Sequence, residues 1–311
     1  MSGCFFNHRG EKIGTPKTNR KAIVERLVTS SLFVCAAFSI IFVLAIVFYM
    51  LYLGSPQLIN DVLHGFEYKE AMFGTLYVAL MGTLLAVFVG LPCAIYMAEF
   101  VNMKIRNVLK TSLEVLDGFP SIVIGVVGWE IFSVPSGPYS INVFLHSLGL
   151  TGSGSIFFGF LIIAIMSFPV IATISEDAIR AVPNELKEAS LGIGATKWQT
   201  TTHVLIPYAM SNIVASILLA LAAAMGETVA LTWVTGRGFT SFFWANPFNP
   251  LQQGVTLTLQ INQDFIGLNE GGGAVLAPHL YAASFMLFVM IGLVNISIRI
   301  FLANRNKRMK I

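Results

Sequence analysis

The 311-residue sequence has little charge: 11% of its residues are Asp, Glu, Lys or Arg, and 55% are hydrophobic. A soluble globular domain carries about 25% charged residues, so this composition excludes an ordinary water-facing surface. Cysteine is also scarce, and Cys4, Cys35 and Cys93 show no paired spacing. The cysteines therefore predict neither a disulfide framework nor a metal site. The low charge and the high hydrophobic fraction are typical of a membrane protein.

Signatures of catalysis are missing as well. The five histidines are scattered, and no metal-ligand cluster, activated serine or His–carboxylate pairing accompanies them. No nucleotide-binding motif is found, and nothing indicates nucleic-acid binding. We expect no catalytic residues, no metal site and no cofactor in this chain, so it is not expected to be an enzyme.

Long apolar stretches are what the sequence has in abundance. A hydrocarbon core about 30 Å thick needs about 20 apolar residues of helix to cross it. The qualifying windows are 29–53, 73–98, 112–134, 156–175, 208–235 and 279–302. The third is interrupted by Asp117, Gly118 and Pro120, and the first is interpreted as a retained anchor helix. The sequence predicts an all-α, polytopic membrane protein with six transmembrane helices.

The distribution of positive charge gives the orientation. Seventeen of the 19 Lys and Arg residues fall in alternate segments, 1–28, 99–111, 176–207 and 299–311. The opposite segments hold only Lys69 and Arg237. Positive residues stay on the cytoplasmic side, so both termini and the two basic loops are predicted to be cytoplasmic. The connections at 54–72, 135–155 and 236–278 then lie outside, and their Gly and Asn-Pro steps predict loops.

The cytoplasmic loop 176–207 has a distinctive pattern. Pro183 suits the first turn of a helix, and good helix formers follow it. Gly192 and Gly194 then end that helix, and Thr196 is predicted to cap a second short helix that runs through His203. Residues 183–207, called the elbow from here on, are therefore predicted to form a helix–turn–helix on the cytoplasmic surface.

The elbow resembles the "EAA" loop of ATP-binding-cassette (ABC) importer permeases: Glu-Ala-Ala, three residues, Gly, nine residues, Ile, any residue, Leu-Pro. The corresponding residues here are Glu188-Ala189-Ser190, Gly194, Val204 and Ile206-Pro207. The resemblance implies a type I ABC importer permease fold in which this loop docks in a groove on a separate ATPase subunit. The coupling residues that it implies are Glu188, Ala189, Ser190, Gly194 and Pro207.

Three further stretches are similar to phosphate-importer permeases, the PstC and PstA family. They are the segment leading from residue 168 into the elbow, GETVALTWVTG at 226–236 and DGFPSIVIGVVG at 117–128. The similarity runs from about residue 70 to the C-terminus, and the Ser175-Glu176-Asp177 step favours the C-type subunit. Relatives usually place an arginine four residues before the Gly-Glu-Thr glutamate, whereas this sequence has Ala223.

The fifth window supplies candidates for a translocation pathway. Ser216, Ala220, Ala223 and Glu227 have the spacing of one helix face. An ionised acid within the membrane costs at least about 2.5–3.5 kcal/mol, so Glu227 is expected to face a partner or a water-filled passage. The pathway candidates are Glu227, Thr228, Thr232 and Arg237, with Thr235 continuing the row of hydroxyls. The structural alternative is that Glu227 bonds a neighbouring helix and the threonines bond their own backbone.

The resemblance implies a division of the chain and a set of partners. The segments are a cytoplasmic basic tail at 1–28, an anchor helix at 29–53, a permease core at 70–303 and a second basic tail at 304–311. The partners are a second permease subunit, two ATPase subunits and an extracytoplasmic phosphate-binding protein. The ATPase subunits, and not this chain, are expected to bind ATP. The location implied is the inner membrane of a prokaryote.

Two alternative functions stay open at this point. An importer of the same architecture could carry another oxyanion, molybdate or sulfate. A proton-coupled secondary transporter could use Glu227 as its proton site, although it would leave the elbow without a role.

Overall fold

The computed structural model describes residues 19–64, 68–133, 141, 143, 154–235 and 251–309. Over these ranges the chain is helical apart from short connections, and no β-strand occurs in them, so the predicted all-α fold is confirmed. The chain divides into two compact units, residues 1–52 and residues 53–311.

The helices are numbered in chain order. They are α1 (Asn19–His64), α2 (Lys69–Ile95), α3 (Met103–Asp117), α4 (Ser121–Gly128), α5 (Ile156–Arg180), α6 (Asn184–Gly192), α7 (Lys197–Thr200), α8 (Ile206–Gly226), α9 (Val229–Val234), α10 (Leu257–Gly267) and α11 (Gly273–Met309). Short π-helical turns follow α2, α4, α7 and α10, at Tyr96–Phe100, Trp129–Ser133, Thr201–Leu205 and Leu268–Gly272.

Among the residues that the structure describes, five stretches of helix are long and apolar enough to cross a membrane: Ile23–Asn60, Lys69–Phe100, Ile156–Arg180, Lys197–Gly226 and Leu276–Ser297. A sixth crossing is reached only by counting α3 with the segment Ser121–Phe132, and these two are bent by 88° relative to each other. The interruption predicted in the window 112–134 is therefore a sharp bend between two separate helices. The bend falls at Gly118-Phe119-Pro120, where proline disfavours the helical conformation in the residue before it.

The first unit, in the part that the structure describes, consists of the start of α1. Its apolar side chains are exposed on all sides of the helix, among them Leu32, Phe38 and Ile41. A helix that is apolar all round suits a hydrocarbon surrounding, and its backbone groups are satisfied internally. α1 covers the predicted window 29–53 and extends beyond both of its ends, and its role as an anchor stays a prediction.

The second unit is built around α2 and α5, which approach closely through small residues. A Cβ atom added at Gly82 would lie 2.5 Å from Cγ2 of Ile163, and one at Gly90 would lie 3.3 Å from Cγ2 of Ile171. Where two helices meet in lipid, residues with small side chains let the two backbones approach closely. α8 packs against the same pair, with Ala220 and Ile213 buried in its contact face.

The outer connection 236–278 differs from the predicted loop. Residues 236–250 are outside the described ranges, but α10 and its π-helical turn occupy 257–272. Thr256 begins α10 by accepting a hydrogen bond from the Leu259 backbone N–H, and the Leu257 N–H donates to Thr75 Oγ1 of α2 at 2.8 Å. The prediction of a loop was therefore wrong for this stretch, which contains no proline or glycine between Leu257 and Ile266.

Candidate functional site: the cytoplasmic elbow and the break in the fifth span

The turn of the elbow is defined by Gly194. Its φ is +90°, a left-handed conformation that favours glycine, and it follows the last residues of α6. The Ala195 N–H donates to the Ser190 carbonyl at 3.2 Å, and the Gly194 N–H donates to the Leu191 carbonyl at 3.0 Å. This pair of bonds is a Schellman motif, which satisfies the carbonyls at the end of α6 and reverses the chain.

The second helix of the elbow begins as predicted and ends differently. Thr196 Oγ1 accepts from the Gln199 N–H and Gln199 Oε1 accepts from the Thr196 N–H, which completes a capping box. The predicted end at His203 is wrong, because α7 continues through the π-helical turn into α8. That wider turn directly precedes Pro207, where a regular α-helix would set the proline ring against the His203 carbonyl.

The two elbow helices are joined by a buried hydrogen bond, Ser190 Oγ to Thr200 Oγ1 at 3.0 Å. Ser190 therefore points into the elbow, whereas Glu188, Ala189 and Gly194 are exposed on it. Pro207 is exposed at the first turn of α8. The structure thus places the five sequence-predicted residues on one compact element, and it gives Ser190 a structural contact of its own.

The tip of the elbow exposes apolar side chains on the cytoplasmic side. Ile193 is 88% exposed, and Leu186, Leu191 and Trp198 are also exposed. Beyond Gly192 and Gly194 there is open space, since a Cβ atom on either residue would meet nothing within 4 Å. An exposed apolar patch rimmed by polar residues is typical of a protein–protein contact.

A buried carboxylate anchors the base of the elbow. The Glu176 side chain at the end of α5 is 0% exposed and accepts from Arg106 Nε at 2.6 Å and from Lys110 Nζ at 3.2 Å. Arg180 Nε lies 3.6 Å from the same carboxylate, and Lys110 also pairs with Asp177. The hydrogen bond with Glu176 raises the pKa of Arg106 above its ordinary value, so this cation stays charged. These contacts fasten α3 to α5.

Sequence reasoning used Ser175-Glu176-Asp177 only as a family feature and did not predict this cluster. The available signal was the acidic pair Glu176-Asp177, which precedes the elbow and follows the basic loop 99–111 in the chain. Ser175 itself bonds Ser216 of α8, Oγ to Oγ, at 3.0 Å within the buried interior. The three consecutive residues therefore join α5 to both α8 and α3.

The fifth span is broken at Glu227. α8 ends at Gly226, and Glu227 has an extended backbone with φ −68° and ψ 126°. Its side-chain Oε1 accepts from the Ala230 N–H at 3.0 Å, which caps the first turn of α9, and its carbonyl accepts from Thr258 Oγ1 at 2.9 Å. Glu227 is half-buried, so its carboxylate has one internal donor and partial access to the surroundings.

The predicted single face of the fifth window is divided in the structure. Ser216 and Ala220 are buried, Ala223 is exposed, and Glu227 lies beyond the end of α8. The prediction assumed an unbroken helix, and the break at Gly226 removes Glu227 from that face.

The threonine hydroxyls donate to nearby backbone carbonyls. Thr228 Oγ1 donates to Gly226 at 3.3 Å, Thr232 to Thr228 at 2.8 Å and Thr235 to Leu231 at 2.9 Å. Their lone pairs remain free to accept, and Thr228 and Thr232 are half-buried. Arg237, the remaining pathway candidate, lies outside the described residues. In the described part of the chain, no group of three or more His, Cys, Asp or Glu residues is placed to hold a metal ion.

Comparison with known proteins now identifies the family. Residues 90–311 match the family described as "Binding-protein-dependent transport system inner membrane component". The chain belongs to this family. It is a permease subunit of an ABC importer, a multi-pass membrane protein of a transport system, and the predicted resemblance to this class is confirmed.

Named relatives cover most of the chain. A probable ABC transporter permease protein, YqgI of Bacillus subtilis, is 31% identical over 83% of this chain and 91% of its own length. The phosphate transport system permease protein PstC of Mesorhizobium japonicum is 31% identical over 74% of this chain and 72% of its own length.

Solved importers share the fold at lower identity. A bacterial alginate ABC transporter in complex with an alginate-bound periplasmic protein has a chain that aligns with TM-score 0.60 at 15% identity, over 94% of this chain and 98% of that one. The MetNI methionine ABC transporter aligns with TM-score 0.54 at 18% identity, over 74% and 92%. These likenesses support the importer permease fold, and their cargoes differ from one another.

Proposed function

We propose that this permease forms, with a second permease subunit, the transmembrane passage of an ATP-driven importer of inorganic phosphate. The observation that carries the choice of phosphate is the sequence similarity to PstC permeases, at 31% identity over 74% of the chain for the Mesorhizobium protein. The C-type relationship is preferred because several PstC proteins match over most of the chain.

The elbow supports coupling to an ATPase supplied by another chain. Its apolar tip at Ile193 and Trp198 is exposed, while its two helices are locked together by the Ser190–Thr200 bond. A rigid element with an exposed apolar surface can be seated in a groove and displaced as one body. Because α6 is connected to α5 and α7 runs directly into α8, a displacement of the elbow moves the cytoplasmic ends of two spans.

The outward face of α8 supports a passage shared with a second permease. An exposed row follows the helical repeat through Tyr208, Asn212, Ala215, Leu219, Ala223 and Gly226. Its small members permit a close approach by a partner helix, and its outer end reaches the half-buried Glu227. Glu227, Thr228, Thr232 and Arg237 remain our candidates for contact with the anion.

A carboxylate is a poor ligand for phosphate by itself, since both groups are negative. In this proposal Glu227 acts by pairing with a cation of the second subunit or by carrying a proton that it donates to the anion. The external binding protein delivers phosphate to the outer side, ATP binding closes the ATPase pair, and the elbows convert that closure into alternating access.

The test is transport by the reconstituted assembly. This chain, its second permease and its ATPase are placed in proteoliposomes with the phosphate-binding protein, and uptake of radiolabelled phosphate is measured with and without ATP. We expect uptake that requires ATP and is not diminished by unlabelled molybdate or sulfate. If labelled phosphate is not taken up while labelled molybdate or sulfate is, that oxyanion replaces phosphate, and uptake driven by a proton gradient without ATP would favour the secondary transporter.

A further inference from the structure

The cytoplasmic end of α2 contacts both helices of the elbow. Its last turn, Tyr96–Phe100, is π-helical, and the chain leaves it in an extended conformation at Val101. Within this turn, Glu99 Oε2 accepts from Lys187 Nζ of α6 at 2.5 Å, and the Glu99 backbone carbonyl accepts from Lys197 Nζ of α7 at 3.1 Å. Glu99, in the π-helical turn that continues α2, is therefore bonded by both helices of the elbow.

Aromatic contacts strengthen the attachment at the adjacent residue. Lys197 Nζ lies 5.8 Å from the centre of the Phe100 ring, and the Trp198 ring centre lies 6.3 Å from it. A cation over an aromatic face is attracted by the negative charge on that face, at an exposed site as well. α7 thus holds Phe100 as well as Glu99.

Burial makes the Glu99 contact stronger than a surface ion pair. The Glu99 side chain is 6% exposed and that of Lys187 is 30% exposed. Removing one partner of an exposed pair has little effect, whereas a buried carboxylate that loses its cation is left with an uncompensated charge. Separating the elbow from α2 would therefore be costly.

The chain connects the elbow covalently to α5 and α8 only, and the Glu99 contacts add α2. The Ser190–Thr200 bond and the turn at Gly194 fix the two elbow helices relative to each other, so Lys187 and Lys197 hold Glu99 from a single rigid element. We propose that Glu99 is a positioning residue that makes the cytoplasmic end of α2 move together with the elbow. This inference rests on the proposed coupling function and names a third span that the coupling reaches.

The first test exchanges the two charges. ATP-dependent uptake is first measured with the unmodified assembly. If this uptake is absent, the result counts against the proposed function and does not test the role of Glu99. In an assembly that transports, Glu99→Lys is expected to lower uptake at least about tenfold, because a buried cation then faces Lys187. The double variant Glu99→Lys/Lys187→Glu is expected to recover uptake to within about threefold of the unmodified protein, since the pair is restored with reversed sign.

The matched control is Glu114→Lys, which reverses an exposed carboxylate on α3. It is expected to transport at the unmodified rate. Normal uptake by Glu99→Lys, or a double variant no better than the single variants, would overturn the proposal.

The second test remains decisive even if charge reversal prevents folding. Glu99→Cys/Lys187→Cys is made in a background without Cys4, Cys35 and Cys93, and the thiols are joined by a short bis-methanethiosulfonate reagent. The untreated variant is expected to transport poorly while ATP hydrolysis continues, and cross-linking is expected to restore uptake. If the cross-link restores nothing or stops the remaining uptake, the elbow and α2 do not move as one body and the proposal is wrong.

Discussion

Two regions of the molecule are stabilised by different interactions: the cytoplasmic ends of the helices, and the break in the fifth span. At the cytoplasmic end, carboxylates at Glu99 and Glu176 meet cations from distant segments and lock α2, α3, α5 and the elbow together. At the break in the fifth span, single hydrogen bonds hold the chain, such as Thr258 Oγ1 to the Glu227 carbonyl at 2.9 Å. The comparison contrasts a strongly bonded end with a more weakly bonded region, and this is the contrast that the proposed coupling and the proposed passage require.

The largest effect is expected from Glu176→Gln. The substitution leaves Arg106, Lys110 and Arg180 around a neutral, fully buried side chain. Loss of one member of a buried ion cluster costs about 3–5 kcal/mol in the free energy of unfolding. Denaturation of the purified protein in detergent measures it, and exposed Glu114→Gln is the control, with an expected change within about 0.5 kcal/mol. Equal free energies of unfolding for the two variants would show that the ion cluster around Glu176 does not stabilise the protein.

The second-largest effect is expected from the substitution Gly194→Val. Valine at φ +90° is strained by roughly 1–2 kcal/mol or more, so the turn changes shape and the elbow loses its geometry. We expect uptake in proteoliposomes to fall at least about tenfold while the protein still inserts in the membrane. Gly192→Ala adds a side chain into equally open space without a positive φ, and it should transport normally. Equal uptake by the two variants would contradict the role of the elbow geometry.

A smaller effect is expected at the break in the fifth span. Glu227→Gln keeps an oxygen that can accept from the Ala230 N–H and removes the negative charge. Uptake is expected to fall about fivefold with unchanged assembly, which corresponds to about 1 kcal/mol. Thr173→Val in α5 is the comparison: Thr173 is also half-buried and its hydroxyl donates to the Pro169 carbonyl of its own helix, so a change below about twofold is expected. Normal uptake by Glu227→Gln would make the residue a helix cap and nothing more.

The same comparison explains what could be predicted from the sequence. The elbow turn depends on local rules: a glycine with positive φ at Gly194 and a threonine cap at Thr196 are both readable within a few residues. The long apolar spans are equally local. The bend at Gly118–Pro120 has a local signal, but its 88° angle and the position of α3 depend on the contacts with Glu176.

The features that sequence reasoning missed depend on long-range contacts. Glu99 meets Lys187 across 88 positions, and Arg106 meets Glu176 across 70. The break at Glu227 is likewise stabilised by Thr258, 31 positions away. Hydropathy and the distribution of positive charge predict the side of the membrane on which such residues lie, but they do not say which of them are paired.

Cross-linking from the tip of the elbow tests most directly whether a separate ATPase subunit binds the elbow. Ile193→Cys, in a background without the native cysteines, is treated with a thiol-to-amine cross-linker in native membranes. We predict that the ATPase subunit is captured and that ATP changes the yield, while Asn107→Cys on the exposed side of α3 captures far less. Failure to capture an ATPase from Ile193→Cys, in membranes that take up phosphate in an ATP-dependent manner, would contradict the coupling role of the elbow.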